Sequence, residues 1–477
     1  MSASHRQSEA ATDLSIAIIG GGSREWVPKI AMDLAQSGDL HGHVSLYDIN
    51  QEAAESNARF GNWVHNREEA DSNWTYEACS ERAVALKEAD FVFTSTQYDP
   101  AETNTEDLRV TKEYGILHPV THSVGPGGHS RSMRQIPVYR EIAAAIREHC
   151  PDAWVFNYTN PMTTVTKTLH KEFPEIKALG FCHEVFDLQE HLAELVGTYK
   201  SVDDEPARNE INIDVTGINH FTWVTDARWN GEDLFPLVDH HIQQPDVIRE
   251  YDKEEMEEQT YFVDNFQITY ELYQRFGALP AAGDRHLAEF APWFVRGDDT
   301  SALNRWGIRR TPASYREKHW KDIESMQDYG TERIMNDPDD FSLQQSGEVA
   351  VDCIRALCGL KPFITNINLP NRGQAPDLPQ NAVVETNVRL SENSITPQVA
   401  GTLPRGIRNT VTTHIENQEL LVEAAFSGDL DLAFQAFLND PQVMGLKMDD
   451  ARAMFKDLVT THKEYLSAWD FDANVLE

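Results

Sequence analysis

Four short segments of this 477-residue chain gather residue types that do chemistry: Asn157-Tyr158-Thr159-Asn160-Pro161, Cys182-His183-Glu184, Gly217-Ile218-Asn219-His220 and Gly283-Asp284-Arg285-His286. A thiolate and an imidazole suit a borderline divalent ion such as manganese, iron, cobalt, nickel or zinc. Two protein ligands leave positions open for substrate oxygens. Cys182 and His220 are the candidate metal ligands. Taken singly, each has a plain structural explanation, as a small buried hydrophobe or a hydrogen-bonded core histidine. A fifth segment points to a nucleotide. The apolar run Leu14–Ile19 leads into Gly20-Gly21-Gly22-Ser23-Arg24, with a helix expected from Trp26 to Ser37. A dinucleotide pyrophosphate needs glycines for close backbone approach and a helix N-terminus for its charge. Gly20, Gly22, Ser23 and Arg24 are therefore candidate cofactor-binding residues, although the third glycine position falls on Glu25. Asp48 follows the next strand-like run, Val44–Tyr47. There it can accept ribose hydroxyls, and its charge favours NAD over NADP.

The elements that must position these groups alternate. Phe91–Phe93, Trp154–Phe156 and Leu179–Phe181 read as further short strands, and Gln51–Arg67, Met133–Glu148 and Met162–Glu172 as helices. This pattern predicts an α/β fold with a Rossmann-like parallel sheet. After about Lys200 the pattern changes to a strand-like Ile211–Thr216, a charged helical region over Glu250–Phe276 and irregular loops. Helices are expected over Gly347–Leu360 and Asn417–Leu438, flanking an extended stretch Phe363–Glu385. The expected organisation is a disordered tail at 1–13, an NAD-binding domain at 14–198, and an α+β domain at 199–477 for substrate, metal and oligomerisation.

With 77 acidic and 41 basic side chains the formal charge is −36. Such a surface repels phosphate backbones and anionic lipid, so nucleic acid and membrane partners are not expected. The acidity fits either salt adaptation or an ordinary acidic surface. Met1–Asp13 carries no apolar run of signal-peptide type. The five cysteines are irregularly spaced, which predicts reduced thiols and a cytoplasmic protein.

In this order the segments resemble glycoside hydrolase family 4 along most of the chain. The resemblance also takes in Gly125-Pro126-Gly127-Gly128 with Arg131, Arg134, Ile136 and Pro137, and Asn368-Leu369-Pro370-Asn371-Arg372-Gly373-Gln374 with Asp377-Leu378-Pro379 and Val384-Glu385. It implies NAD, a divalent metal (Mn2+ or another) on Cys182 and His220, Asn160 against the sugar hydroxyls, and a homodimer or tetramer. The run Cys182-His183-Glu184-Val185 is similar to the branch acting on unphosphorylated α-glycosides; phospho-sugar branches carry Asp or Asn after the Cys. The implied chemistry departs from the two-carboxylate scheme of most glycosidases: oxidation at sugar C3, proton loss at C2, elimination of the aglycone, water addition and return of the hydride. Asp284 is the expected C2 base, with Tyr261 and Tyr270 as alternatives. His183 is expected to assist the departing aglycone or bind a hydroxyl. Arg131, Arg134 and Arg285, with Arg305, Arg309 and Arg310 further on, make an anionic sugar such as a uronide or sulfoquinovoside as eligible as a neutral hexoside. Two other functions fit the same nucleotide turn: a sugar dehydrogenase releasing NADH, and a sensor that binds the cofactor without turnover.

Overall fold

Apolar runs in the first half of the chain become parallel strands: β1 (Ala11–Ile19), β2 (Leu40–Tyr47), β3 (Trp74–Cys79), β4 (Phe91–Thr94), β5 (Trp154–Asn157) and β6 (Lys177–Gly180). β4 and β5 are buried at every position, as expected of strands covered by helices on both faces. These facts come from a computed structural model that describes residues 10–98, 100–200, 202, 204–295, 301–309, 318, 335–336 and 341–477. The polar start expected to be a tail through residue 13 gives way to β1 at Ala11, whose partner is Leu40; residues 1–9 lie outside the described set. β3 escaped the sequence reading because it alternates: Trp74 and Tyr76 are buried, while Thr75 and Glu77 face solvent.

The parallel strands lie in the order β3-β2-β1-β4-β5-β6, and the sheet reverses direction of growth between β1 and β4. Ligands of such sheets bind outside the strand C-termini at that switch point. Beyond β6 the sheet continues with β11 (Phe363–Pro370), β12 (Val383–Ser391) and β13 (Ser394–Pro397), all antiparallel, to nine strands. A second sheet packs β7 (Ile211–Ile218), β8 (Phe221–Trp229), β9 (Glu232–Asp233) and β10 (Leu279–Pro280). Asn387 of β12 joins the sheets, accepting from the Val215 N–H and donating to the Ile213 carbonyl. The extended stretch expected over Phe363–Glu385 is thus β11 and the start of β12, with a loop between them. Asn371 holds that loop by donating to the carbonyls of Ala375, Leu378 and Pro379.

The helical region expected over Glu250–Phe276 holds two short helices, Lys253–Glu258 and Gln267–Phe276, and two further helices differ from their expected bounds. The one expected from Met133 begins at Gly125, because Pro126 sits in the first turn, where its missing N–H costs nothing. The helix expected over Asn417–Leu438 is two, Arg405–Ser427 and Leu430–Leu438. Gly428 (φ +73°) ends the first, and the Asp429 carboxylate caps the second through the Leu432 N–H. No helix among the described residues is long and apolar enough to cross a membrane, and all five cysteines are free thiols.

Several histidines are buried within this framework. Burial pushes His129 down to about 3, and His65 and His170 down to about 4. A histidine whose folded pKa lies below its unfolded value contributes stability that is complete above about 6.5 and is lost as the pH falls toward the folded value. The unfolding free energy, followed through the urea midpoint, is expected to fall between about pH 6.5 and about pH 4 by on the order of several kcal/mol in total. A flat profile across that window would contradict the burial of these rings as neutral groups.

Candidate active site

The glycine turn lies at the switch point. Gly20 has φ +91°, and a Cβ there would fall 2.0 Å from the Ser95 carbonyl oxygen at the end of β4. Only glycine fits this crossing. The Gly22 N–H donates to Asp48 Oδ2 at 2.8 Å, and the Asn50 N–H to Asp48 Oδ1 at 2.8 Å. The acid at the end of β2 is thus fixed against the turn. Asn57 donates to the Gly21 and Ser23 carbonyls, which fixes the turn against the helix Gln51–His65. Ser23 Oγ accepts from the Trp26 N–H at the start of helix Trp26–Ala35. Arg24 and Ser23 are half-buried beside it. A cradle that a Cβ would fill, facing a helix start and a positioned carboxylate, suits a dinucleotide.

A second cluster gathers from three distant segments. Glu184 opens helix Glu184–Tyr199 just beyond β6, His220 occupies the two-residue turn between β7 and β8, and His286 lies in helix Asp284–Phe290. One ligand atom from each of the three lies within 4.8 Å of the others. His220 takes the left-handed conformation (φ +63°), and its Nδ1 lies 2.7 Å from Ser123 Oγ. Its ring stacks on His286, centroids 3.9 Å apart. Glu184 Oε2 accepts from the Gly283 N–H at 2.7 Å and lies 3.2 Å from His286 Nδ1. Burial alone would raise the Glu184 pKa, but His286, His220 and the Gly283 N–H hold it well below the usual range. Burial pushes His220 well down. Asn219 is buried with neither side-chain polar atom hydrogen-bonded, and so is His286 Nε2. Orphaned buried polar atoms beside imidazoles and a carboxylate suit a cation centre.

Cys182 lies two residues before Glu184 but is not one of these three. Burial, then the Glu385 and Glu184 carboxylates, push its thiol well above the ordinary range. Glu385 itself is buried and accepts from Thr222 Oγ and Asn366 Nδ2, both at 2.6 Å. His183 is turned outward, 46% exposed at its side chain and 3.5 Å from Glu348 Oε1. Glu348 raises it to about 9 against the effect of burial. Asn160, after β5, receives Arg131 Nε on its carbonyl at 3.2 Å.

Three expectations are revised by these contacts. Arg134 is 1% exposed and bonds to Asp107 Oδ2 at 2.7 Å and Ser130 Oγ at 2.6 Å, so it secures the core and cannot reach a sugar. Asp284, expected to be a base, is spent on a helix start. Its Oδ2 accepts from the Ile268 N–H, and its Oδ1 from the N–H and Oγ of Thr269, in the first turn of helix Gln267–Phe276. Burial raises both Asp284 and the neighbouring Asp264. Asp284→Asn is expected to cost about 1–3 kcal/mol of stability, because an amide nitrogen would face a helix N–H, while turnover stays within about tenfold. A loss of about a hundredfold at unchanged stability would return the base role to it. Tyr270, an alternative base, is buried with its hydroxyl 2.5 Å from His191 Nε2.

Other arginines take varied places. Arg285 donates to the carbonyls of Tyr261 and Pro119. Arg309 lies over the Tyr261 ring at 4.1 Å, and Arg305 pairs with Glu250 at the surface. Arg310 lies outside the described residues. The sequence reading named His286 and Glu184 inside their motifs but assigned neither a role. Nothing in their spacing shows that a helix N-terminus and a strand end meet.

Sheet order, glycine turn and switch point define a Rossmann-type protein. The chain belongs to the family 4 glycosyl hydrolases: that family's model matches residues 15–198, and the model of its C-terminal domain matches residues 215–443. An α-galacturonidase of Thermoanaerobacterium saccharolyticum is 39% identical over 466 residues, covering 97% of this chain and 98% of its own. The solved Bacillus subtilis protein lplD superposes with a TM-score of 0.86 at 38% identity, covering 94% of this chain and 100% of that one. A 6-phospho-α-glucosidase from gut microorganisms, solved with NAD and Mn2+, shares the fold at a TM-score of 0.77 and 18% identity, over 96% of this chain and 99% of that one.

Proposed function

We propose that this glycosidase hydrolyses unphosphorylated α-glycosides of galacturonic acid, with NAD and a divalent metal such as Mn2+, by transient oxidation at C3. The observation that carries the substrate class is near-full-length similarity, at 39% identity, to an α-galacturonidase. When bound, NAD supplies a hydride acceptor that returns the hydride in each cycle, and the metal supplies a Lewis acid. The chain does the rest. The Gly20–Ser23 turn and Asp48 hold the dinucleotide, with the acid disfavouring a 2′-phosphate. Cys182 and His220 mark the cation's place, between β6 and the β7–β8 turn. Asn160 orients the sugar hydroxyls beside it. Arg131, anchored to Asn160, and the outward His183, protonated through Glu348, are the cationic groups we assign to a C6 carboxylate. To His183 we also assign proton donation to the leaving oxygen.

The test is a panel of nitrophenyl α-galacturonide, α-galactoside and α-glucoside, each with NAD+ and Mn2+ in heavy water. The expected result is aglycone release from the galacturonide, no net NADH, and deuterium at sugar C2. Preference for the neutral galactoside would reject the uronide. Accumulating NADH without aglycone would reject the hydrolase in favour of a dehydrogenase. Chelation is expected to stop turnover and Mn2+ to restore it; full activity in chelator would remove the metal.

A further inference from the structure

We propose that His286, together with Glu184, binds the divalent cation alongside His220, forming a two-histidine, one-carboxylate face. This rests on the metal-dependent reading above and adds protein donors that the Cys182–His220 pair does not include.

The geometry supplies two independent supports. One ligand atom from each of Glu184, His220 and His286 lies within 4.8 Å of the others, close enough for one ion to touch all three after small rotations. The His220 imidazole also has one nitrogen engaged, which orients its ring. Glu184 Oε2 lies 3.2 Å from His286 Nδ1, where one ion could meet both atoms, while Ser123 Oγ engages His220 Nδ1. Metal-binding histidines are usually held in this way through the nitrogen that does not bind the ion. The two rings lie face to face, 22° from parallel, so one of them turns for both to aim a nitrogen at the same ion. Together with Cys182, these donors still leave positions open for oxygens of the sugar. The segments reach this point by separate routes: the β7–β8 turn brings His220, the end of β6 brings Glu184, and the Gly283 N–H bound to Glu184 brings the helix of His286. That last bond sets the distance between the loop and the carboxylate.

The test measures metal binding by the whole chain, independent of turnover. Free Mn2+ is followed by its paramagnetic resonance signal for the wild type, His286→Ala, Glu184→Gln and His220→Ala. A weakening of at least about tenfold is expected for each variant, since even groups that only orient a ligand cost tenfold or more. Cobalt-loaded His286→Ala should also show an altered visible spectrum at saturation, which loss of a packing residue would not produce. The melting temperature of metal-free His286→Ala, compared with metal-free wild type, separates ligand loss from misfolding. Mn2+ affinity within about twofold of wild type in His286→Ala, with His220→Ala impaired, would overturn the role of His286 and leave the metal reading standing. Absence of Mn2+ binding by the wild type would remove both.

Discussion

Arg134→Ala is expected to cost about 3–5 kcal/mol of folding stability, read as a lowered urea midpoint at unchanged slope. Its guanidinium and the Asp107 carboxylate are 1% and 2% exposed at their side chains. Asp107 Oδ1 also lies 2.9 Å from His462 Nε2, in a helix C-cap near the end of the chain. Burial would raise Asp107, but Arg134 and His462 together hold it at about 2. Removing the arginine leaves a carboxylate that must stay ionised without its main partner or take up a proton in the core. Either route is expensive where water cannot enter. The pair ties helix Ala101–Glu113 to the long helix Gly125–His149 and, through His462, to the C-terminal helices. Had Arg134 gripped a substrate carboxylate, the same change would raise KM and spare stability. A normal urea midpoint with impaired KM would therefore reverse the assignment.

Gly20→Ala is expected to lower turnover on the order of a hundredfold, since displacement of about 1 Å at a reacting group has that effect. The new methyl would meet a backbone oxygen, which cannot swing aside as a side chain can. The φ of +91° adds strain of its own. Relief requires moving the turn away from β4, taking the Gly22 N–H and Asp48 with it. NAD titration should show the loss as weakened binding, largely separate from Mn2+ affinity, because the cation cluster rests on other elements. Unchanged NAD affinity in a folded Gly20→Ala protein would show that the cofactor lies elsewhere.

Much of this was legible in the residues. The apolar runs before Gly20, Asp48 and Cys182 gave strands because strands buried on both faces are continuous in hydrophobicity. The family expected from the motifs is the one to which the chain belongs. Other features were hidden for physical reasons. Asp284 could not be separated from a base by its type, since capping a neighbouring helix and abstracting a proton both need a carboxylate. Its partners, Ile268 and Thr269, carry no mark of the task. Arg134 reads as a substrate arginine until the fold brings His462 beside its partner, 355 residues away from Asp107. The start at Gly125 was obscured because glycine and proline read as breakers, yet they suit a buried first turn. His286 and Glu184 meet only in three dimensions.

The order in which the large sheet is completed has a consequence for synthesis. β6 pairs on its outer side with β11, and the contacting residues Gly180 and Asn368 are 188 positions apart. A ribosome adding roughly 5–20 residues each second needs on the order of tens of seconds to cover that distance. Throughout that interval the nascent chain carries the first six strands with β6 as an open edge, the kind of surface that pairs with neighbouring chains. Yield in cells should therefore depend on how well that edge is shielded during translation, and slow or crowded synthesis should favour aggregates seeded at β6 over damage to the finished enzyme.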